Sequence, residues 1–187
     1  MIKVITPPAT EPVTLTQAKL HCRVDHDAED SLIDSLITAA RVYCEGVQNR
    51  AYVEQTLELT YDKFPAPVFY LPRPPLRSVE SIKYTDKDGT EHIVDSDNYI
   101  TDTASFKGRV SLKYGESWPS VILQPIAAVK IRFTAGYDEV PQTAKQAMLL
   151  LIGHWYVNRE GAISGQVNRE IEFAVNALLG IDRVWSL

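Results

Sequence analysis

The 187-residue chain has little sulfur: two cysteines, Cys22 and Cys44, and two methionines. Two thiols make no disulfide framework, and their separation matches no zinc-ligand spacing. Both lie among apolar residues in helix-like stretches, so buried free thiols and synthesis in a reducing cytoplasm are expected. Long hydrophobic runs are missing as well. The longest, Met148 to Gly153, is far short of the roughly 20 residues a membrane span requires, so no membrane association is expected. After Met1 the chain reaches Lys3 and then "TPPATEP", and no signal peptide is expected. Nor is there an excess of positive charge. With 19 Lys and Arg against 24 Asp and Glu the net charge is −5, which argues against an electrostatic grip on DNA. Neither G-x-x-x-x-G-K-[ST] nor G-x-G-x-x-G occurs.

What is present is an ordinary folding composition, 45% hydrophobic and 23% charged, in a length suited to one domain or a compact domain with an insertion. "ITPPATEPV" reads as an extended arm, because proline lacks the amide that helices and ladders use. "LTQAKLHCRV" reads as a short helix with Thr16 as its N-cap. "DAEDSLIDSLITAARVYCEGVQNRA" is the clearest helix. Asp27 is its expected cap, and Glu29 and Asp30 suit the positive end of its dipole. Leu32, Ile33, Leu36, Ile37, Ala40, Tyr43, Cys44 and Val47 recur at three/four spacing and predict one broad buried stripe. Asp34, Arg41, Glu45 and Gln48 fall on the other side.

From about Val53 the period becomes two. "VEQTLELTYDKF" alternates as a half-buried strand does, and proline-studded "VFYLPRPPL" belongs at an edge or between strands. "SVESIKYTDKDGTEHIVD" predicts a hairpin turning at Asp88–Gly89, where glycine accepts positive φ. "NYITD", "RVSLKYG" and "AVKIRFTAGY" extend the block to about Tyr137, and such short strands suggest a small sandwich or barrel. "VPQTAKQAMLLLIGHWYVNREG" returns to helix, with Pro141 in its first turn and Gly161 at its far end. "GAISGQVNRE" reads as a polar loop, and "FAVNALLGIDRVWSL" as a short helix followed by an apolar tail. The class is therefore α+β. Residues 14–51 and 140–187 supply two N-terminal and two C-terminal helices around a β-rich insertion, 52–138, in a single unit spanning 1–187.

No catalytic set emerges. "DHDAED" lacks the glycine and the terminal carboxylate of a calcium loop, because Asp30 and Leu36 hold those places. His154 and Asn158 share a helical face, but Glu160 sits off it, and His21, His26 and His92 lie in other segments. Lys107 and Arg109 flank Gly108 ahead of a strand, where no helix start is available to cradle a phosphate. No metal, cofactor or enzymatic activity is expected. A small β-rich hydrolase or carbohydrate-binding module is the alternative reading. What remains is apolar surplus. Leu149, Leu150, Leu151 and Ile152 occupy every side of one helical turn, so that helix is covered on more than one side, by other helices, the β block or another subunit. Trp155 is expected in the same core. The chain end repeats the pattern with Ile181, Val184, Trp185 and Leu187, as docking segments do.

"LTQAKLHCRVDHDAEDSLIDSLITAARVYCEGVQNRAYVEQTLELT", "LPRPPLRSVESIKYTDKDG", "KIRFTAGY" and "VPQTAKQAMLLLIGHWYVNRE", in that order and spacing, resemble the tailed-phage head–tail connector (adaptor) family, in its branch with a β insertion. The resemblance runs from about Leu15 to Val184. It implies a non-enzymatic virion protein at the head–tail interface, made in the host cytoplasm. Copies would assemble as a ring, usually of twelve, below the portal protein. The ring would extend the DNA channel and present a platform for a stopper or tail-completion protein. The resemblance further implies that "GIDRVWSL", with Ile181, Arg183, Val184, Trp185 and Leu187, docks into the portal. Leu36, Ile37, Tyr43, Leu150, Leu151, His154, Trp155 and Arg159 would form the core and subunit contacts. Independently of the family, twelve copies at −5 would set roughly sixty negative charges around a channel, repelling double-stranded DNA instead of binding it.

Overall fold

The structure, a computed structural model, describes residues 1–159 and 169–184. The chain forms two compact units. One contains Met1–Ala9 and Glu54–Tyr137, the other Thr10–Val53 and Asp138–Leu187. Among the described residues the first is built of β-strands apart from one 3-10 turn, Ser96–Asn98, and the second of α-helices, which makes the protein α+β.

The β unit has eight strands among the described residues: β1 Ile2–Thr6, β2 Gln55–Tyr61, β3 Val68–Tyr70, β4 Leu76–Thr85, β5 Glu91–Ile93, β6 Tyr99–Asp102, β7 Arg109–Leu112 and β8 Val129–Ala135. They form two separate antiparallel sheets, ordered β1-β2-β8-β4-β5 and β3-β7-β6, as a sandwich does and a closed barrel does not. Alternation decides the faces. Leu57, Leu59, Ile131, Phe133 and Ile82 are buried. The opposite face of the large sheet carries charge, with Arg132 donating to Glu58 (2.8 Å) and Lys83 and Lys130 to Glu91 (2.7 and 3.3 Å). The expected hairpin joins β4 to β5, with Gly89 at φ 84°. Aromatic rings run from one sheet to the other. Phe64 stacks on Trp118 (5.1 Å) and meets Tyr84 of β4 (5.4 Å), while Trp118 also touches Phe69 of β3 (6.3 Å).

One local reading of this unit changes. The arm at the start of the chain holds a strand, β1, which pairs with β2 from Ile2 opposite Leu59 to Thr6 opposite Thr56. Gly108, in the loop of the hairpin that joins β6 to β7, is needed there for closeness. A Cβ there would lie 2.2 Å from the Leu76 Cβ, and Arg109 is occupied by Asp102 at 2.9 Å.

The helical unit contains α1 Leu15–Cys22, α2 Asp30–Gln48, α3 Gln142–Val157 and α4 Arg169–Gly180. Three of its helix starts differ from expectation by one or two residues, each for a visible reason, and α4 begins at Arg169, four residues ahead of the expected Phe173. Thr14, not Thr16, caps α1. Its Oγ1 accepts from Gln17 N–H (3.2 Å), and Gln17 Oε1 accepts from Thr14 N–H (2.9 Å), a complete capping box. Asp27 does not cap α2, because Lys19 holds its carboxylate at 2.6 Å and that of Asp30 at 2.7 Å. Glu29 takes the N-cap position without a side-chain cap. Pro141 precedes the first turn of α3 and accepts from Ala144 and Lys145 N–H. Gly161, like Glu160 and most of the loop "GAISGQVNRE", lies outside the described residues.

α3 meets α1, α2 and α4 within this unit. That is why its sequence is apolar on nearly every side. Ala144, Ala147, Met148, Leu151 and Ile152 are buried, and Leu149 and Leu150 are half-buried. Its covering comes from the other helices of the same chain.

Candidate functional site

The long helix α2 buries a different face from the one its apolar spacing predicts. The expected stripe is centred between Ile33 and Leu36, whereas the residues buried are Ile33, Ile37, Ala40, Arg41, Cys44, Glu45 and Gln48. At 100° per residue the two centres differ by roughly 70°. One flank of α2 thus sinks polar side chains into the unit, and the other leaves apolar ones near water. Leu36 is half-buried and Tyr43 is 45% exposed. Ile37 is buried as predicted.

The sunken polar flank is fully engaged. Arg41 donates to Glu11 (2.7 Å) and to Glu45 (3.0 Å). Glu45 also accepts from the backbone N–H of Tyr52 at 2.7 Å, and the Tyr52 hydroxyl donates to Gln48 Oε1 at 2.7 Å. Burial pushes the Tyr52 hydroxyl well above its ordinary pKa, and pushes the Cys44 thiol up to about 12. Neither is a nucleophile at neutral pH. Nothing in the sequence distinguishes Arg41, Glu45 and Gln48 from a solvated helix face, because their partners lie elsewhere in the chain.

The same end of α2 holds the chain's C-terminal segment. Gln48 Nε2 donates to the Leu179 carbonyl (2.9 Å), Arg50 Nε to the Asp182 carbonyl (2.6 Å), and Val184 N–H to the Gln48 carbonyl (2.9 Å). Val184 is 7% exposed, with Ile181 and Arg183 exposed beside it. Trp185 and Leu187 lie outside the described residues. Of the expected docking tail, Val184 is therefore turned inward as an anchor.

At the C-terminal end of α3, His154 and Asn158 do meet. Asn158 Nδ2 lies 3.0 Å from His154 Nδ1, and both the amide side chain and the backbone N–H of Asn158 donate to the His154 carbonyl. This closes a helix end. Trp155 is half-buried, not fully, and meets Tyr43 edge-on at 6.2 Å. Arg159 is exposed and pairs with Glu29 at 2.6 Å, with its guanidinium 4.7 Å from the Tyr156 ring. Tyr156 also donates its hydroxyl to Glu29. The Arg159 and Tyr156 hydrogen bonds lower the Glu29 pKa to about 2. The cluster ties the start of α2 to the end of α3, and a carboxylate so tightly held is a poor general base at neutral pH.

Among the described residues no group of three or more His, Cys, Asp and Glu is placed to hold a metal ion, and no helix is long and apolar enough to cross a membrane. A groove of about 310 Å³ between α1 and α3 is lined by Val13, Leu20, Leu149, Gln17 and Lys145, a lining with no carboxylate pair or nucleophile. What the helical unit presents is surface: Leu20, Leu32, Val42, Tyr43, Val157, Phe173 and Ile181 are large, apolar and exposed.

Residues 12–168 match the head completion protein family. The chain belongs to that family. It is accordingly a structural, non-enzymatic head–tail adaptor, and its exposed apolar helices are surfaces of an assembly component. Solved structures with the same fold include a chain in the neck of an empty GTA particle computed with C6 symmetry (TM-score 0.80) and one in the virion of the native gene transfer agent particle (TM-score 0.81). A third is in the neck of the native GTA particle computed with C12 symmetry (TM-score 0.72). Each is 23% identical to this chain, and each match covers 100% of this chain and 97% of the other. No curated protein matches the chain significantly.

Proposed function

We propose that this family member forms a ring, of twelve copies, beneath the portal protein at the head–tail interface of a virion. The ring extends the DNA channel and offers its far side to a stopper or tail-completion protein. The observation that carries this reading is the full-length fold likeness to two neck chains, at TM-scores of 0.80 and 0.72, and to a virion chain, at 0.81: both units are included. Head completion names the same stage of assembly. The ring count follows the twelvefold symmetry applied to one of those necks.

Double-stranded DNA passes without specific binding. The β unit holds 11 acidic and 11 basic side chains and the helical unit 13 and 8, so the whole net charge of −5 falls on the helical unit. Such a surface repels phosphate.

In this reading the end of the chain docks into the portal through Ile181, Arg183, Trp185 and Leu187, while Val184 fixes the segment to α2. The test is native mass measurement and negative-stain imaging of the protein with and without its cognate portal. Full-length protein gives a monomer or ring alone and a ring on the portal. Loss of residues 185–187 is expected to abolish portal association while the Val184 anchor keeps the monomer's melting temperature. Deletion of Ile181–Leu187 abolishes association too, and also lowers thermal stability. A portal complex unchanged by both truncations rules out docking through the tail.

A further inference from the structure

The apolar flank of α2 that its own chain leaves half-covered consists of Leu32, Leu36, Ala39 and Tyr43, with Gly46 at its rim. These positions recur at i, i+4, i+7 and i+11 and cover about 17 Å of helix. A second stripe lies on α4. Val175 and Leu179 face inward and are buried, while Phe173 and Ala177, four residues apart, are exposed, Phe173 by 77%. Neither stripe includes a charged residue, in a unit that carries the entire net charge of the chain.

We infer that the α4 stripe of one copy packs on the α2 flank of the next, so that these two faces form the repeating contact of the ring. The inference rests on the ring reading above. A closed ring is built from heterologous contacts, which need two different faces on each copy, and these are two different faces. Copies whose helical units are each at −5 repel on the whole, which favours contact through uncharged area. The side chains are complementary in size. Ala39 and Gly46 lie along the larger Leu36 and Tyr43 as gaps that receive Phe173, and Ala177 lets the α2 backbone approach. Tyr43 is already braced from behind by Trp155, 6.2 Å away, and so offers a fixed ring to pack against.

The test uses full-length protein with Cys22→Ser, to remove the partly exposed native thiol, together with Ala39→Cys and Ala177→Cys. A short bis-maleimide is applied to the portal-bound assembly. The double-cysteine chain is expected to give a ladder of covalent oligomers up to ring size, and either single-cysteine chain none. Phe173→Asp and Tyr43→Arg, both at exposed positions, are each expected to raise the concentration needed for ring formation by about tenfold or more, with monomer melting temperature kept. A ring that forms normally with both charged variants and gives no ladder overturns the α2–α4 contact and leaves the ring reading standing. Covalent dimers from Ala39→Cys alone also overturn it, because they mean a face meeting its own copy. Wild-type protein that never forms a ring, alone or on the portal, overturns both readings.

Discussion

Arg41 lies between two carboxylates, Glu11 at 2.7 Å and Glu45 at 3.0 Å, with 8% of the residue exposed. Removing one partner of such a pair strands the other charge in a poorly hydrated place. Arg41→Met is therefore expected to cost about 3–5 kcal/mol, and Arg41→Met with Glu45→Gln less than that, as read by urea unfolding. Tyr52→Phe removes the donor to buried Gln48 Oε1 and is expected to cost about 1–3 kcal/mol. A different kind of residue effect comes from Glu29, whose pKa falls from 4.5 to about 2 through its bonds to Arg159 and Tyr156. A lowered carboxylate stabilises the folded state fully above its unfolded value, and the contribution fades as pH drops from about 4.5 toward 2. Melting temperature is expected to fall across that window, and Glu29→Gln to flatten the fall. These residues were illegible in the sequence. Arg41, Glu45 and Gln48 share a helix face that looks solvated, and what buries them, Glu11, Tyr52 and the 179–184 segment, is brought there only by folding. The pair His154 and Asn158 was legible as neighbours, and its role as a helix end follows from the His154 carbonyl, which accepts from both the side-chain amide and the backbone N–H of Asn158.

Capping decides where the helices begin. The α1 capping box puts its weight on Thr14, so Thr14→Ala is expected to cost about 1 kcal/mol and Thr16→Ala much less, by thermal or urea unfolding. In the β unit the close approach of Gly108 to Leu76 has no slack. Gly108→Ala is expected to cost about 1–3 kcal/mol or more through overpacking, and Leu76→Ala in the same chain does not rescue it, because alanine keeps the Cβ that stands 2.2 Å away. The strands β2 to β8 were readable because each alternates, or is bounded by proline and glycine, and the Asp88–Gly89 turn was readable because of its backbone requirement. Strand β1 was not. Five residues ahead of Pro7 and Pro8 carry too short a pattern to separate a strand from an arm, and only the partner β2 settles the matter. The apolar run of α3 was readable as a helix covered on several sides, but which elements cover it was not, since periodicity carries no address. The same limit hid the rotation of α2, whose apolar stripe exceeds what its own chain covers.

At the scale of the whole protein, charge is divided unequally: the β unit is neutral and the helical unit holds −5. If copies meet through helices, salt should help them. Raising ionic strength from about 0.05 to about 0.5 M shortens the screening length several-fold, and sedimentation is expected to show ring formation favoured. An assembly weakened by salt would mean that ion pairs, not apolar stripes, join the copies.

The way the two units interleave along the chain sets an order of birth. Strand β1 leaves the ribosome ahead of its partner β2, and the β unit is whole once Tyr137 has emerged. The helices α1 and α2 appear before most of it and then wait, for a time on the order of seconds at ordinary translation rates, until α3 and α4 arrive to cover Ile33, Ile37 and Cys44. The half of the molecule proposed to touch its siblings is thus completed only after the other half, because its two segments bracket the β unit along the chain.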